Sequence, residues 1–89
     1  MREIVKVRED FELEGLEKYN YYDMGNCYQK YDNWGVQLFA DKKTREITRV
    51  HPYSARTLPN DDELGDLVKD GVVVKEVVEW VEQLYLKEK

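Results

Sequence analysis

The chain has 89 residues and a formal net charge of −5; 42% of its residues are hydrophobic and 37% are charged. A chain of this length buries only about 60–65% of its unfolded surface, so we predict one domain over 1–89 with a single modest core. The apolar runs are too short to cross a bilayer and the start is charged throughout, so we predict a cytoplasmic protein without a membrane anchor.

The N-terminal third predicts strands and turns. Residues 2–8 contain a β-branched run (IVKV) bounded by charge, which is typical of a strand. For 9–19 the apolar alternation favours strand or loop, and a short helix capped by Asp10 is the alternative. Residues 20–26 have the Gly, Asn and Asp of a turn-rich connection, and 27–31 are predicted to form another strand.

The clearest element is a central hairpin over about 34–50. Two alternating stretches flank the loop 41–45, in which Asp41 can accept hydrogen bonds from backbone N–H groups further along. Arg45 ends this loop, where φ is usually positive and glycine is favoured. With Asp41 opposite Glu46, the facing pairs going outward are Ala40 with Ile47, Leu38 with Arg49, Val36 with His51 and Trp34 with Tyr53.

Two helices are predicted after the hairpin. A short helix over about 61–69 would be capped by Asn60 or Asp61 and ended by Gly71. A C-terminal amphipathic helix over about 73–87 would cover the sheet with an apolar stripe formed by Val74, Val77, Val78, Val81, Leu84 and Tyr85. The predicted fold class is therefore α+β: a small antiparallel sheet of three to four strands packed by the C-terminal helix.

No residue pattern predicts an enzyme, a metal site or a cofactor. Cys27 and His51 could form a nucleophile and its base, but nothing in the sequence brings them together or supplies a third, orienting group. Because Cys27 is the single cysteine, an intrachain disulfide and a cysteine-pair metal site are excluded. The carboxylate groups lack the glycine and glutamate spacing of a calcium loop. We therefore predict a non-enzymatic protein without a cofactor.

The charge is unevenly distributed. Residues 1–40 have a balance of −3, residues 41–56 of +3 and residues 57–89 of −5. A net acidic protein is repelled by phosphates, which disfavours direct binding of nucleic acid. We instead predict a protein partner with a basic surface, itself one that binds nucleic acid.

The predicted partner-binding face combines carboxylates, which steer encounter, with tyrosines, which supply affinity. Small acidic proteins of this composition include inhibitors and modulators encoded by phages and mobile elements, an analogy of composition alone. The sequence leaves open which tyrosines are buried in the core and which are exposed; those in question are Tyr19, Tyr21, Tyr22, Tyr28 and Tyr31. The residues assigned to the face are Glu12, Glu14, Glu17, Tyr19, Tyr21 and Tyr22.

Two alternatives remain. The hairpin tip could contact phosphates through Lys42, Lys43, Arg45 and Arg49. An exposed edge strand or the valine stripe could instead pair two copies of the chain as a homodimer.

Overall fold

The computed structural model describes residues 2–31, 35–50 and 57–78. These residues form a β-rich fold of six antiparallel strands and three short helical segments. None of the described helical segments is long and apolar enough to cross a membrane. In chain order the elements are β1 (Arg2–Val7), a 3₁₀ helix (Leu13–Tyr19), β2 (Tyr22–Asp23), β3 (Cys27–Tyr31), β4 (Gln37–Asp41), β5 (Glu46–Val50), α1 (Asp61–Leu64), α2 (Asp66–Lys69) and β6 (Val73–Val78).

The strand order in the sheet is β2–β3–β4–β5–β1–β6. Strands β2 to β5 form a meander, whereas the first strand, β1, lies between β5 and β6. β1 pairs with β5 only at Val5 and Lys6, but with β6 along its whole length. Further along β5, Arg49 and Thr57 exchange two backbone hydrogen bonds of 2.9 Å. Thr57, after the hairpin, therefore pairs with the part of β5 that β1 does not reach.

The predicted register of the central hairpin is confirmed. Ala40 lies opposite Ile47 and Leu38 lies opposite Arg49. Leu38, Ala40 and Ile47 are at most 1% exposed, so this face of the hairpin is the core face, as the alternation predicts. Strand β4 begins at Gln37, closer to the turn than predicted, and β5 runs to Val50, the predicted end of the hairpin. The two outer pairs that were predicted, Val36 with His51 and Trp34 with Tyr53, include positions outside the described residues.

The predicted C-terminal helix over about 73–87 is wrong where the structure describes it, since Val73–Val78 form strand β6. Five of the seven residues from 72 to 78 are valine, which is a mediocre helix former and a good strand former. The β-branched strand β1 offers a partner at all six positions of β6. Val73 and Val74 at one end of β6 lie three to five positions before Val77 and Val78 at the other end, and this spacing includes the three- and four-residue steps that suggested a helical stripe. Residues 79–87 lie outside the described residues.

The predicted sheet of three to four strands is too small, because β2 and β6 extend it at its two edges. The strand or loop favoured over 9–19 is also wrong for 13–19, which form the 3₁₀ helix. Gly15 leaves room for the Phe11 ring against this helix, because a Cβ there would lie 2.6 Å from Cζ of Phe11. Asn20 ends the helix with φ of 69°, and Leu16 anchors it with a fully buried side chain.

The short helix predicted over 61–69 is two helices separated by Gly65, which has φ of 54°. The predicted cap at Asn60 is confirmed. The side chain of Asn60 accepts from the backbone N–H of Glu63 at 2.8 Å, and the Glu63 carboxylate accepts from the backbone N–H of Asn60 at 2.9 Å. This capping box satisfies two N–H groups that would otherwise lack partners.

The core lies on one side of the sheet, here called the inner face. All three helical segments bury apolar side chains in the same cluster as this face. The opposite side is called the outer face, and on β2 to β5 it carries Tyr22, Gln29, Tyr31, Gln37, Phe39 and Thr48. The buried members of the core are Val5, Val7, Leu16, Tyr21, Tyr28, Leu38, Ala40, Ile47, Leu64, Leu67 and Val72.

Candidate interaction surfaces

The three predicted glutamates lie together on and beside the 3₁₀ helix. Glu12 is its N-cap, and the side chains of Glu12, Glu14 and Glu17 are exposed. None of the three forms an ion pair with a described residue. Glu14 and Glu17 lie close enough to the Tyr28 hydroxyl to raise its pKa, after the larger effect of burial. The helix therefore presents unpaired carboxylates at the edge of the sheet nearest β2.

The three predicted tyrosines have different surroundings. Tyr21 is 2% exposed in the core, and burial raises the pKa of its hydroxyl, which has no hydrogen-bond partner among the described residues. Tyr19 is half-buried and donates its hydroxyl to Asp70 at 2.7 Å, a bond that raises the pKa of Tyr19. Tyr22 is 66% exposed. Of this predicted set, Tyr22 is the aromatic side chain available to a partner.

A second exposed tyrosine, Tyr31, was not assigned to the predicted face. It is 61% exposed and lies on the outer face, as Tyr22 does. Tyr22 is opposite Gln29, and Tyr31 is two residues further along β3, so the two tyrosines are diagonal neighbours. Such neighbours have Cβ atoms roughly 7–8 Å apart or less. Strand parity could have found Tyr31, because it must point away from the core-facing Tyr28.

A glutamine pair lies beside these tyrosines. Gln29 is 8% exposed although it lies on the outer face, and its side-chain amide donates to Gln37 Oε1 at 3.4 Å. The neighbouring side chains on the strands therefore shield Gln29 from solvent. We refer to Tyr22 and Tyr31, with Gln29 between them, as the tyrosine surface.

The structure places the four predicted cations of the hairpin tip apart from one another. Lys42 forms an ion pair with Asp23 at 2.7 Å and lies 5.0 Å from the Tyr28 ring centroid. The hydrogen bond to Lys42 lowers the pKa of Asp23. Arg49 pairs with Glu63 at 2.5 Å. Arg45 is turned back onto the fold, which leaves Lys43 as the exposed cation of the predicted tip without a described partner.

Arg45 ties the hairpin to the segment after β1. Its φ is 68°, as the loop length predicts. Its guanidinium donates to the carbonyl oxygens of Arg8, at 2.6 Å, and of Phe11, and makes a longer contact of 3.4 Å with that of Val7. The side chain is 18% exposed. These contacts explain why arginine occupies a position where backbone geometry alone would favour glycine.

A cavity of about 760 Å³ opens beside β4 and β5. Cys27 lies in its lining and is partly exposed. Two lining carboxylates already have partners: Glu46 accepts from Arg2 at 3.1 and 3.3 Å, and Asp41 accepts from the backbone N–H groups of residues 43 and 44. Neither carboxylate is therefore placed as a base for the thiol.

The edge strand β6 bears on self-association. Its central residues are Lys75 and Glu76. In a symmetric antiparallel dimer with its twofold axis perpendicular to the sheet, residues that lie opposite one another must have their side chains on the same face, so they are an even number of positions apart in the sequence. An antiparallel β6 pair centred on the strand therefore places Lys75 opposite Lys75, or Glu76 opposite Glu76. Like charges opposite one another destabilise a strand pair, so this geometry disfavours a symmetric dimer through the β6 edge.

Within the described residues, no group of three or more His, Cys, Asp or Glu side chains could hold a metal ion. No protein-family model, curated protein or solved structure matches the chain.

Proposed function

We propose that this chain is a non-enzymatic protein-interaction module that docks on a basic surface of a partner protein and so inhibits or modulates it. The observation that carries the proposal is the set of exposed carboxylates of Glu12, Glu14 and Glu17, none of which has an ion-pair partner among the described residues. Free carboxylates attract a cationic partner over a range set by the Debye length, about 8–10 Å at physiological salt.

The distribution of ion pairs supports the proposal that a negatively charged surface of this chain binds a positively charged partner. Many cations of the described surface are neutralised by carboxylates of the same chain, whereas no described cation pairs with the three glutamates. A partner that approaches the 3₁₀ helix therefore meets negative charge, relieved within that helix only by Lys18. The described cations in ion pairs are Arg2, Lys6, Arg8, Lys42, Arg45, Arg49 and Lys75.

The same distribution weighs against the nucleic-acid alternative. Phosphate binding requires cations that are free to contact the backbone. Lys42 and Arg49 contact carboxylates and Arg45 contacts carbonyl oxygens, so using them would require breaking contacts within the fold. A protein partner with exposed lysine or arginine side chains requires no such change.

The test begins with affinity capture from the source cell and then compares matched variants against the purified partner. Replacing Glu12, Glu14 and Glu17 with Gln should weaken binding by about threefold to 150-fold, since each exposed ion pair contributes about 0.2–1 kcal/mol. A control variant with Asn at Asp62 and Asp66, which are also exposed acids without a described ion pair, should bind as the wild type does.

The dependence on salt gives a second measurement. Wild-type association should slow as ionic strength rises, and the triple-Gln variant should show a smaller change. Equal binding by the triple-Gln variant and the control, or a captured partner whose contact surface is acidic, would contradict the proposal. Loss of binding on Lys43→Glu alone would favour the hairpin tip instead.

A further inference from the structure

The tyrosine surface has an unusual exposure for its residue type. Tyrosines bury 150–250 Å² each when they pack, yet Tyr22 and Tyr31 are 66% and 61% exposed on adjacent strands. They lie on the same face and are diagonal neighbours, so their rings can contact one object at the same time. Exposed aromatic groups at strand positions are typical of a binding surface.

The neighbouring charges indicate which chemical group fits these rings. Tyr22 lies three residues after the end of the 3₁₀ helix; that helix packs on the inner face, contacts β2 and carries exposed carboxylates at this edge of the sheet. The described cations nearest in the chain and sheet, Lys30 and Lys42, are engaged on the inner side: Lys30 lies 5.6 Å from the Tyr21 ring centroid, and Lys42 pairs with Asp23 at 2.7 Å. Carboxylates at the edge of the sheet, beside the strand that carries Tyr22, attract a cation to this edge and repel a phosphate, and the π faces of the tyrosines can then bind the cation.

We infer that the tyrosine surface binds arginine side chains of the basic partner, whose guanidinium groups stack on Tyr22 and Tyr31. The inference rests on the proposed function, because it identifies what the basic partner supplies. A guanidinium is planar and more weakly hydrated than an ammonium group, so it loses less hydration than lysine when it stacks on a ring. Carboxylates of the 3₁₀ helix then attract the arginines, and the tyrosines select them over lysines.

The test uses the full chain and two peptides of equal length and charge, one alternating Arg with Ser and the other Lys with Ser. Titration should give about threefold or tighter binding of the Arg peptide, the order of magnitude expected for exposed cation–π contacts. Its binding should shift the ring signals of Tyr22 and Tyr31 in an NMR spectrum.

Variants separate this inference from the proposed function. Replacing both tyrosines with Leu should abolish the preference for Arg and leave residual binding to both peptides, while replacing both with Phe should retain the preference. Because both positions are exposed, circular dichroism should show folded variants. The triple-Gln variant of Glu12, Glu14 and Glu17 should bind both peptides more weakly and should still bind the Arg peptide more tightly than the Lys peptide.

The contrary outcomes are distinct. Equal binding of the two peptides, lost in the triple-Gln variant, overturns the arginine inference and leaves the proposed function standing. Binding of neither peptide overturns the inference as well. A single-stranded oligonucleotide that binds at physiological salt and shifts the same tyrosine signals would overturn it in favour of base stacking.

Discussion

Replacing Arg45 with Gly tests how the hairpin is held to the rest of the sheet, because two effects of opposite sign meet at this residue. Its φ of 68° is unfavourable for arginine, and Gly at such a position gains about 1 kcal/mol over a residue with a Cβ. The substitution also removes hydrogen bonds from a charged donor to the carbonyls of Arg8 and Phe11. Such bonds are worth about 1.5–3 kcal/mol each when buried.

The hydrogen bonds of the Arg45 side chain outweigh the backbone free energy that glycine would gain. Arg45 is 18% exposed and water can reach the freed carbonyls, so we take the lower value for each bond, about 1.5 kcal/mol. Two bonds then outweigh the backbone gain, and Arg45→Gly should lower the free energy of unfolding by about 2 kcal/mol. Arg45→Ala loses the bonds without the backbone gain, and should lower it by about 3 kcal/mol.

Urea unfolding at pH 7, followed by tryptophan fluorescence, measures these differences through the midpoint at constant m-value. Lys43→Ala is the control, because Lys43 is exposed in the same turn and should change stability by less than about 0.5 kcal/mol. An Arg45→Gly protein as stable as the wild type, or more stable, would show that the guanidinium contacts do not stabilise the fold.

Further predictions concern the turn, the α1 cap and the 3₁₀ helix. Backbone N–H groups, that of Thr44 first, lower the pKa of Asp41, so its stabilising effect is present above about pH 4 and is lost as pH falls through the lowered folded-state pKa. The difference in unfolding free energy between wild type and Asp41→Ala should therefore shrink below that pH in acid titrations, and a constant difference would refute the assignment. Glu63→Ala removes both the cap and the pair with Arg49 and should cost about 2–3 kcal/mol in urea unfolding, whereas Glu63→Gln keeps the cap and should cost about half of that; equal losses would exclude the capping contribution. Gly15→Ala places a Cβ against the Phe11 ring and should lower thermal stability by about 1–2 kcal/mol, measured by calorimetry; an unchanged midpoint would contradict this contact.

The parts of the fold that the sequence predicts correctly are those with local causes. The hairpin register follows from alternation and loop length, and the helix start at Asn60 follows from the capping pair three residues apart. The wrong prediction for 73–78 has a non-local cause. A valine-rich segment between charged residues fits either a helix or a strand, and the choice depends on β1, about 70 residues earlier.

In the candidate site, too, the features with local causes could be predicted and those with non-local causes could not. The exposure of Glu12, Glu14 and Glu17 agrees with their charge, but charge does not say which cations elsewhere are neutralised. The ion pair of Lys42 with Asp23 joins the hairpin turn to the end of β2, and local patterns carry no signal for it. The tyrosines divide between core and surface by strand parity, which becomes usable only after the register of β3 is known.

The position of β1 between β5 and β6 also has a consequence for the order of folding. Strands β3 to β5 form through short connections, but β1 must close loops of about 40 and 70 residues to reach its neighbours. Long-range pairing of this kind is slow compared with hairpin closure. During synthesis β1 leaves the ribosome before any of its partners, and its apolar residues stay uncovered until β6 has followed. Of these six strands, β1 is made first and is the last to be paired on both sides, so the sheet is completed only after β6 has been made.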